Sequence, residues 1–426
     1  MQENHEVRAY INWLEKKVRI LEQRIDGIED KIAEHPSFVK PERHNSNGGK
    51  TGRPKGHEGV TRPLPKPEDV DETIELNTDR CPCCGEELTG MPVETNERYV
   101  EDIEPAKPLR RKYVIRRKWC PHCKKLVSEK PKDVIPKCRL GLNLLLYVAF
   151  WKYLMAMPVN KICTMLECQY GFHVSEATVI NELNLLADAF GNDFGRIIGG
   201  MKNERYVHGD ETGHRIKGEN YWLWAFITKT KALYIVRKTR GSSVPKEVLG
   251  ENFSGVLHSD FWDAYNWVKN QQKCWGHILR KTGEMEEDCL LHRKLKRLYR
   301  KAKKLRESSI GLEEKTALVD GLEKEIESLK LIPFCTKEAD AFVRTLTKHK
   351  HNLFRFVTDI NIEPTNNTAE RAIRPAVVMR KISGGSRSER GAKTFETNMT
   401  VMQTWKLQNK DFFEEGMKRL MEFSHG

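Results

Sequence analysis

The chain has 426 residues, enough for two or three domains, and a formal charge of +13 with a pI near 9.1. That balance points away from an ordinary metabolic enzyme and toward a polyanionic partner. Eleven cysteines, four of them in Cys-x-x-Cys pairs, argue against a disulfide framework and suit a reducing compartment with a metal site. The start of the chain is polar and charged, so no signal peptide is expected. The longest apolar stretch, residues 140–157, is interrupted by Asn143, Lys152 and Tyr153 and stopped by Pro158; it reads as a buried helix.

Residues 1–35 carry Val7, Ile11, Leu14, Val18, Leu21, Ile25, Ile28 and Ile32 at alternating spacings of four and three. β-Branched residues at a, with Leu14 and Leu21 among the d positions, predict a parallel two-stranded coiled coil. Lys17 and Arg24 at g would face Glu22 and Glu29 at e of a second copy. Residues 36–70 are basic and rich in Gly and Pro, a linker that cannot bury a core. Within it Gly52-Arg53-Pro54 makes Arg53 a DNA-contact candidate, in the manner of minor-groove arms.

Cys81-Pro82-Cys83-Cys84-Gly85 and Cys120-Pro121-His122-Cys123 define two knuckles inside residues 71–137. Cys81, Cys84, Cys120 and Cys123 match a tetrahedral structural zinc site, with Cys83 as rival to Cys84. Strands of a zinc ribbon are expected at 98–103 and 113–116. Arg110, Arg111, Lys112, Arg116, Arg117 and Lys118 make that surface a candidate DNA contact. Residues 138–200 read as helices: 160–166, a turn at Tyr170-Gly171-Phe172, then Ser175 capping a helix over 178–186. This is the outline of a helix-turn-helix, shared with any helical hairpin.

From 201 to 385 the pattern predicts an α/β core. Strands are expected at 206–210, 221–228 and 232–238, with turns at 219–220 and 229–231. A helix follows near 244–249, then a strand ending at Asp260, a helix over 262–268 and a short strand at 273–277. That order is the order of a ribonuclease-H-like core, which would set Asp210 mid-sheet beside the strand bearing Asp260. Residues 279 to about 350 form a strongly helical, basic insertion, a DNA clamp or simply a solvated face. Residues 386–426 make a helical tail.

Asp210 and Asp260 each end an apolar run, and Glu370 opens a helix in Asn366-Asn367-Thr368-Ala369-Glu370-Arg371-Ala372. Two strand-end carboxylates and one on a distant helix can converge on a pair of Mg²⁺ or Mn²⁺ ions, the arrangement for in-line displacement at phosphodiesters. Taken singly, Asp210 reads as a loop carboxylate and Glu370 as an i,i+4 partner of Arg374. Glu211 and Asp263 are substitute ligands, and His208, His258 and His277 match no compact zinc motif. Arg371, Arg374, Arg380 and Lys381 would place cations beside a bound strand.

At these residues the chain resembles the insertion-sequence-66 family of bacterial transposases over nearly its whole length. The likeness runs through His208-Gly209-Asp210-Glu211-Thr212, Ser259-Asp260, Cys274-Trp275-Gly276-His277 and Asn366-Asn367-Thr368-Ala369-Glu370-Arg371-Ala372-Ile373-Arg374-Pro375. Gly384-Gly385-Ser386-Arg387-Ser388-Glu389-Arg390-Gly391-Ala392 is similar to a glycine-rich motif of one branch and adds Arg387 as a DNA contact. The resemblance implies a DDE transposase with Asp210, Asp260 and Glu370 as catalytic, Mg²⁺-binding trio, acting on its element's terminal repeats and target double-stranded DNA. It also implies a homodimer or higher oligomer, element-encoded accessory proteins, and a cytoplasmic, nucleoid-associated location. Other readings of the same residues are a catalytically silent DNA-binding regulator and a ribonuclease-H-like nuclease or resolvase.

Overall fold

The structure, a computed structural model, describes residues 63–425 apart from 90–93, 104–106, 130, 132, 136 and 137. The expected coiled coil at 1–35 and Arg53 lie outside the described residues. Two units are distinguished, one up to residue 103 and one from 104 onward. The boundary falls between the two cysteine knuckles.

In the second unit, a short hairpin of β1 (Lys118–Cys120) and β2 (Lys125–Val127) is built around the second knuckle. Four helices follow: α1 (Leu142–Ala149), α2 (Val159–Tyr170), α3 (Glu176–Ala189) and α4 (Gly191–Gly200). Gly171 ends α2 at φ 62°, and the Ser175 hydroxyl caps α3 by accepting the Thr178 N–H, as the sequence predicts. The sheet strands are β3 (Tyr206–Ile216), β4 (Glu219–Ile227), β5 (Ala232–Arg237), β6 (Val256–Ser259) and β7 (Gln271–Lys273), with α5 (Ser243–Leu249) before β6. Then come α6 (Trp275–Gly283), α7 (Cys289–Glu307), α8 (Leu312–Ser328), α9 (Lys337–Lys348) and α10 (Arg355–Thr358). The chain closes with α11 (Asn367–Ser383), α12 (Glu389–Leu407) and α13 (Phe412–His425).

The sheet order is β5-β4-β3-β6-β7, with β3 central. β3, β4 and β5 form an antiparallel meander, whereas β6 and β7 run parallel to β3. β3 is longer than expected, so Asp210 lies within a strand rather than at its end. The hairpin turn is correspondingly at Lys217-Gly218, not Glu219-Asn220. Both turn residues have positive φ, 51° and 86°, the left-handed pair that suits a two-residue hairpin. The helix expected over 262–268 is only a 3₁₀ turn at Asp263–Tyr265, and the strand expected at 273–277 ends at Lys273, where α6 takes over.

Leu223, Trp224, Ala225, Phe226 and Ile227 of β4 are all buried, so both faces of this strand are covered. α12 covers the β5 edge with side chains that stand in for a missing strand. Thr404 and Thr400 hydroxyls accept the N–H groups of Ala232 and Tyr234, and the Glu396 carboxylate accepts that of Val236. The expected C-terminal tail is therefore part of the core: Met399, Val401, Met402 and Trp405 are buried there. The helices from 142 to 200 share the same cluster through Leu145, Ile162, Leu183 and Phe190, and so make no separate domain.

A second cluster forms between β7 and α11. Leu291, Leu295, Leu298 and Ala302 line one side of α7 and pack with Trp275, Ile326, Leu346, Phe354 and Phe356. Arg293, Lys294, Lys296, Arg297 and Arg300 occupy the exposed side. This helical insertion is wider than the expected 279–350, reaching from α6 to α10.

The strands expected at 98–103 and 113–116 are absent among the described residues, and their apolar side chains, such as Val100, Ile103 and Val114, are exposed. Alternation alone does not make a strand when no face is buried.

Candidate active site

β3 and β6 run side by side with His208 opposite His258. Asp210 and Asp260 each stand two residues further on. β3 runs on through Asp210 whereas β6 ends at Ser259, so Asp260 leaves just past the strand end, near enough for its charge to act on Asp210. Asp210 and Glu211, being consecutive, point to opposite faces. Gly209 completes the requirement at this point: a Cβ there would press on Tyr265 at 3.2 Å and Leu257 at 3.4 Å.

Glu370 reaches the same place from the first turn of α11, and Asn366 holds that turn. Its backbone N–H donates to the buried Cys274 sulfur at 3.0 Å. Its side-chain amide donates to the Gly209 carbonyl at 2.9 Å, and its side-chain oxygen lies 3.0 Å from His208 Nδ1. Its own carbonyl accepts the Glu370 N–H. One fully buried residue thus ties α11 to β3 and to the start of α6.

The Asp210 carboxyl is pushed up to about 7. Burial is the main cause, followed by the negative charges of Glu211 and Asp260, with Glu370 adding a smaller push. Asp260 and Glu370 are therefore both close enough to act on Asp210. Their hydrogen-bond partners are few: Asp210 accepts the Glu211 N–H at 3.0 Å, and Asp260 accepts the Trp262 N–H at 2.9 Å. Glu370 has His277 Nδ1 at 3.7 Å and Arg280 at 3.9 Å.

Glu211 is not a substitute ligand. Arg240 donates to one of its oxygens at 3.0 and 2.7 Å, and the Tyr265 hydroxyl donates to the other at 2.5 Å. The guanidinium of Arg240 lies 4.6 Å from the Trp222 ring centre and 3.7 Å from that of Trp262. Asp263 is exposed and holds Asn266. The His208 and His258 ring centres lie 4.9 Å apart, the rings tilted by 35°. Burial, reinforced by the neighbouring His208, Lys273 and His277, drives the His258 imidazole well below its usual range.

Sequence reasoning missed Lys273, Asn366 and Arg240. Lys273 is fully buried beneath Asp260 and donates to its backbone carbonyl at 2.8 Å; burial lowers its ammonium to about 8. A lysine following the apolar run of β6 by a full crossover carries no local signal. Asn366 sits in a quoted motif, but only the fold reveals that its partners lie at 209 and 274.

Arg371 and Arg374 are exposed along α11 and, with Asn367, Glu370, Ile373 and Val377, line an open groove of about 480 Å³. Lys381 and Arg387 are exposed as well, as are Arg116, Arg117 and Lys118. Arg380 departs from the expectation of a DNA contact: its guanidinium donates to Thr212 at 3.0 Å and to the Gly213 carbonyl, pinning α11 to β3. Arg110 and Arg111 are also engaged internally, by the Gly171 carbonyl and by Asp133. Gly384-Gly385-Ser386 is structural too. Ser386 donates its N–H to Arg215 and accepts that of Lys217, while Ser388 caps α12.

Each cysteine knuckle is organised around its first sulfur. Backbone N–H groups of Cys84 and Cys83 lower the Cys81 thiol, and those of Cys123 and His122 lower Cys120. N–H groups aimed at a sulfur favour thiolate, the form that binds zinc. Cys83 joins Cys84 as a partner of Cys81 within its own unit.

Comparison with known proteins agrees with this anatomy. Residues 137–394 match the model of the Transposase IS66 family, and residues 78–124 match the zinc-finger binding domain of transposase IS66. Two proteins of Sinorhizobium fredii (strain NBRC 101917 / NGR234), both with names that leave their function open, are similar to it. Uncharacterized protein y4qI is 28% identical over 322 residues, 63% of this chain and 57% of that protein. Uncharacterized protein y4hP is 24% identical over 405 residues, 82% of this chain and 71% of that protein. The chain thus spans little more than half the length of the first. The zinc-finger match supports a structural zinc, and no helix among the described residues is long and apolar enough to cross a membrane. With more than half of its length matched, the chain belongs to the IS66 transposase family.

Proposed function

We propose that this chain is a DDE transposase that cuts DNA at the ends of its own insertion sequence and joins the freed 3′ ends to target DNA. Asp210, Asp260 and Glu370 serve as its acid trio on a ribonuclease-H-like sheet. The observation that carries this reading is the meeting of Asp210 on β3 with Asp260, which directly follows the parallel neighbour β6, and with Glu370, brought to them by Asn366. The acids suit Mg²⁺ or Mn²⁺, because the repulsion that raises Asp210 is relieved by a divalent cation. Asp210 and Asp260 would hold both ions and Glu370 would complete one shell. When bound, such a pair stabilises the attacking and leaving oxygens of an in-line displacement at a phosphodiester.

The remaining side chains position and support. Arg371 and Arg374 offer cations to the phosphates of a strand lying in the α11 groove. Lys273 and Asn366 hold the backbone that carries Asp260 and Glu370, and Arg240 with Tyr265 keeps Glu211 out of the trio. The cysteine knuckles hold a structural zinc, and their exposed Arg116, Arg117 and Lys118 extend the phosphate-binding surface. α2 and α3 act as the helix-turn-helix, and the coiled coil expected at 1–35, outside the described residues, would pair two copies for an element with two ends. The protein works on chromosomal DNA in the cytoplasm, with element-encoded accessory proteins as partners.

Asp260→Asn and Asp210→Asn are expected to bind terminal-repeat DNA as the parent does while cutting falls to background. A nicking assay on labelled ends with Mg²⁺ decides it. Retained cutting in either variant refutes the assignment, and a parent that binds the repeats yet shows no metal-dependent nicking favours the DNA-binding regulator reading.

A further inference from the structure

A second donor set lies against the acid trio. Cys274 precedes α6, His277 stands three residues on in its first turn, and Glu370 approaches from α11. One ligand atom of each lies within 4.8 Å of the other two. The Cys274 sulfur is fully buried and accepts the Asn366 N–H at 3.0 Å, a bond that orients it as outer-shell donors orient metal ligands. His277 Nδ1 is buried without a hydrogen-bond partner, although Glu370 Oε1 is only 3.7 Å away. An imidazole nitrogen that faces a carboxylate oxygen, yet stops short of bonding it, leaves room for an atom that binds both. Arg280 lies nearest the other oxygen, Oε2, at 3.9 Å.

One sulfur, one nitrogen and one carboxylate oxygen are a poor set for Mg²⁺, which takes oxygens and water. They are the common set for Zn²⁺, with a fourth position left open. We propose that Cys274, His277 and Glu370 bind a thiophilic divalent cation of the zinc class, and that its binding draws Glu370 away from Asp210 and Asp260. In forming the metal–sulfur bond the Cys274 thiol gives up its proton to solvent. The site is separate from the cysteine knuckles and makes zinc an inhibitor of the magnesium-supported reaction. This consequence rests on Glu370 being the third acid of the trio, but the binding itself does not.

The test uses the full chain, stripped of metal and titrated with Zn²⁺ against a chromophoric chelator. The parent is expected to take up one equivalent more than His277→Gln, a variant at a side chain one-third exposed, whose unchanged melting temperature would show it folded. Co²⁺ in place of Zn²⁺ should lose part of its sulfur-to-metal absorption in Cys274→Ser. Should that buried variant fail to fold, His277→Gln decides alone. Equal uptake by parent and His277→Gln overturns the proposal. Asp260→Asn lies outside the donor set and should keep the extra equivalent. If it keeps cutting DNA as well while His277→Gln loses the equivalent, the catalytic reading fails and the metal site stands.

Discussion

The sheet and the cysteine knuckles position their candidate functional side chains by opposite means. Around Asp210 and Asp260 the carboxylates are placed by burial: Val207, Leu257, Trp224 and Tyr265 are wholly excluded from solvent. Each such side chain contributes roughly 1.5–3 kcal/mol. Its geometry is set by packing, and the neighbouring acids push on Asp210. Around the knuckles, Leu109, Val114 and Trp119 are 67%, 71% and 61% exposed, so almost nothing but turn geometry and N–H···S contacts is available. The carboxylate cluster is a consequence of the fold; at the knuckles a structural zinc is a condition for it.

The largest expected effect breaks that contrast directly. Zinc chelation, or Cys120→Ser, removes the roughly 10 kcal/mol that a structural zinc supplies to a small finger. Hydrogen exchange should show protection lost around 118–127 while the amides of β3 to β5 keep theirs. Loss of protection throughout would mean the two regions depend on each other, and the contrast would fail.

Asn366 probes the sheet side at the level of positioning. Asn366→Ala deletes the bonds to Gly209 and His208 while leaving every carboxylate in place. Cutting should slow by roughly 10–100-fold, the usual cost of losing a residue that orients metal ligands, with terminal-repeat DNA bound as before. An unchanged rate would separate Asn366 from the acids. Next in size is Thr400→Val in α12, which leaves the Tyr234 N–H buried without an acceptor. The expected loss is about 1–3 kcal/mol in urea unfolding. A neutral result would mean that water or a shifted helix satisfies the β5 edge.

The same contrast explains what was legible in the sequence. Local signals survived: the Ser175 cap, the three antiparallel strands, the Glu370 helix and the spacing of the knuckles. Each depends on residues a few places apart. Asp210 lay mid-strand because β3 runs on to a turn where Gly218 takes φ 86° after Lys217. What the sequence hid was long-range. α12 reads as a polar helix until its Thr400, Thr404 and Glu396 are seen to complete β5, more than 150 residues earlier. Arg380 reads as a DNA contact until Thr212 and Gly213 are seen beside it. Ribbon strands were expected at 98–103 and 113–116 because alternation was read without asking what would bury it.

The last expected effect concerns the electrostatic cost of the acid trio, and its sign can be fixed in advance. The Asp210 carboxyl, ordinarily near 3.8, is raised to about 7 in the folded chain by burial and by the neighbouring acids. Between those limits the folded state holds a proton that the unfolded state releases, so this group favours folding more as pH falls. Its penalty is fully present above pH 7 and gone below about pH 4. Asp210→Asn has no such charge and should melt higher than the parent above pH 7. The gain is about 2–4 °C for each kcal/mol of relieved repulsion. The gap should close as pH is lowered toward 4, and added Mg²⁺ at pH 8 should close it from the other side by stabilising only the parent. A gap that stays constant from pH 8 to pH 4 would mean that shape, not charge, separates the two side chains, and the case for a cation between Asp210 and Asp260 would lose its electrostatic basis.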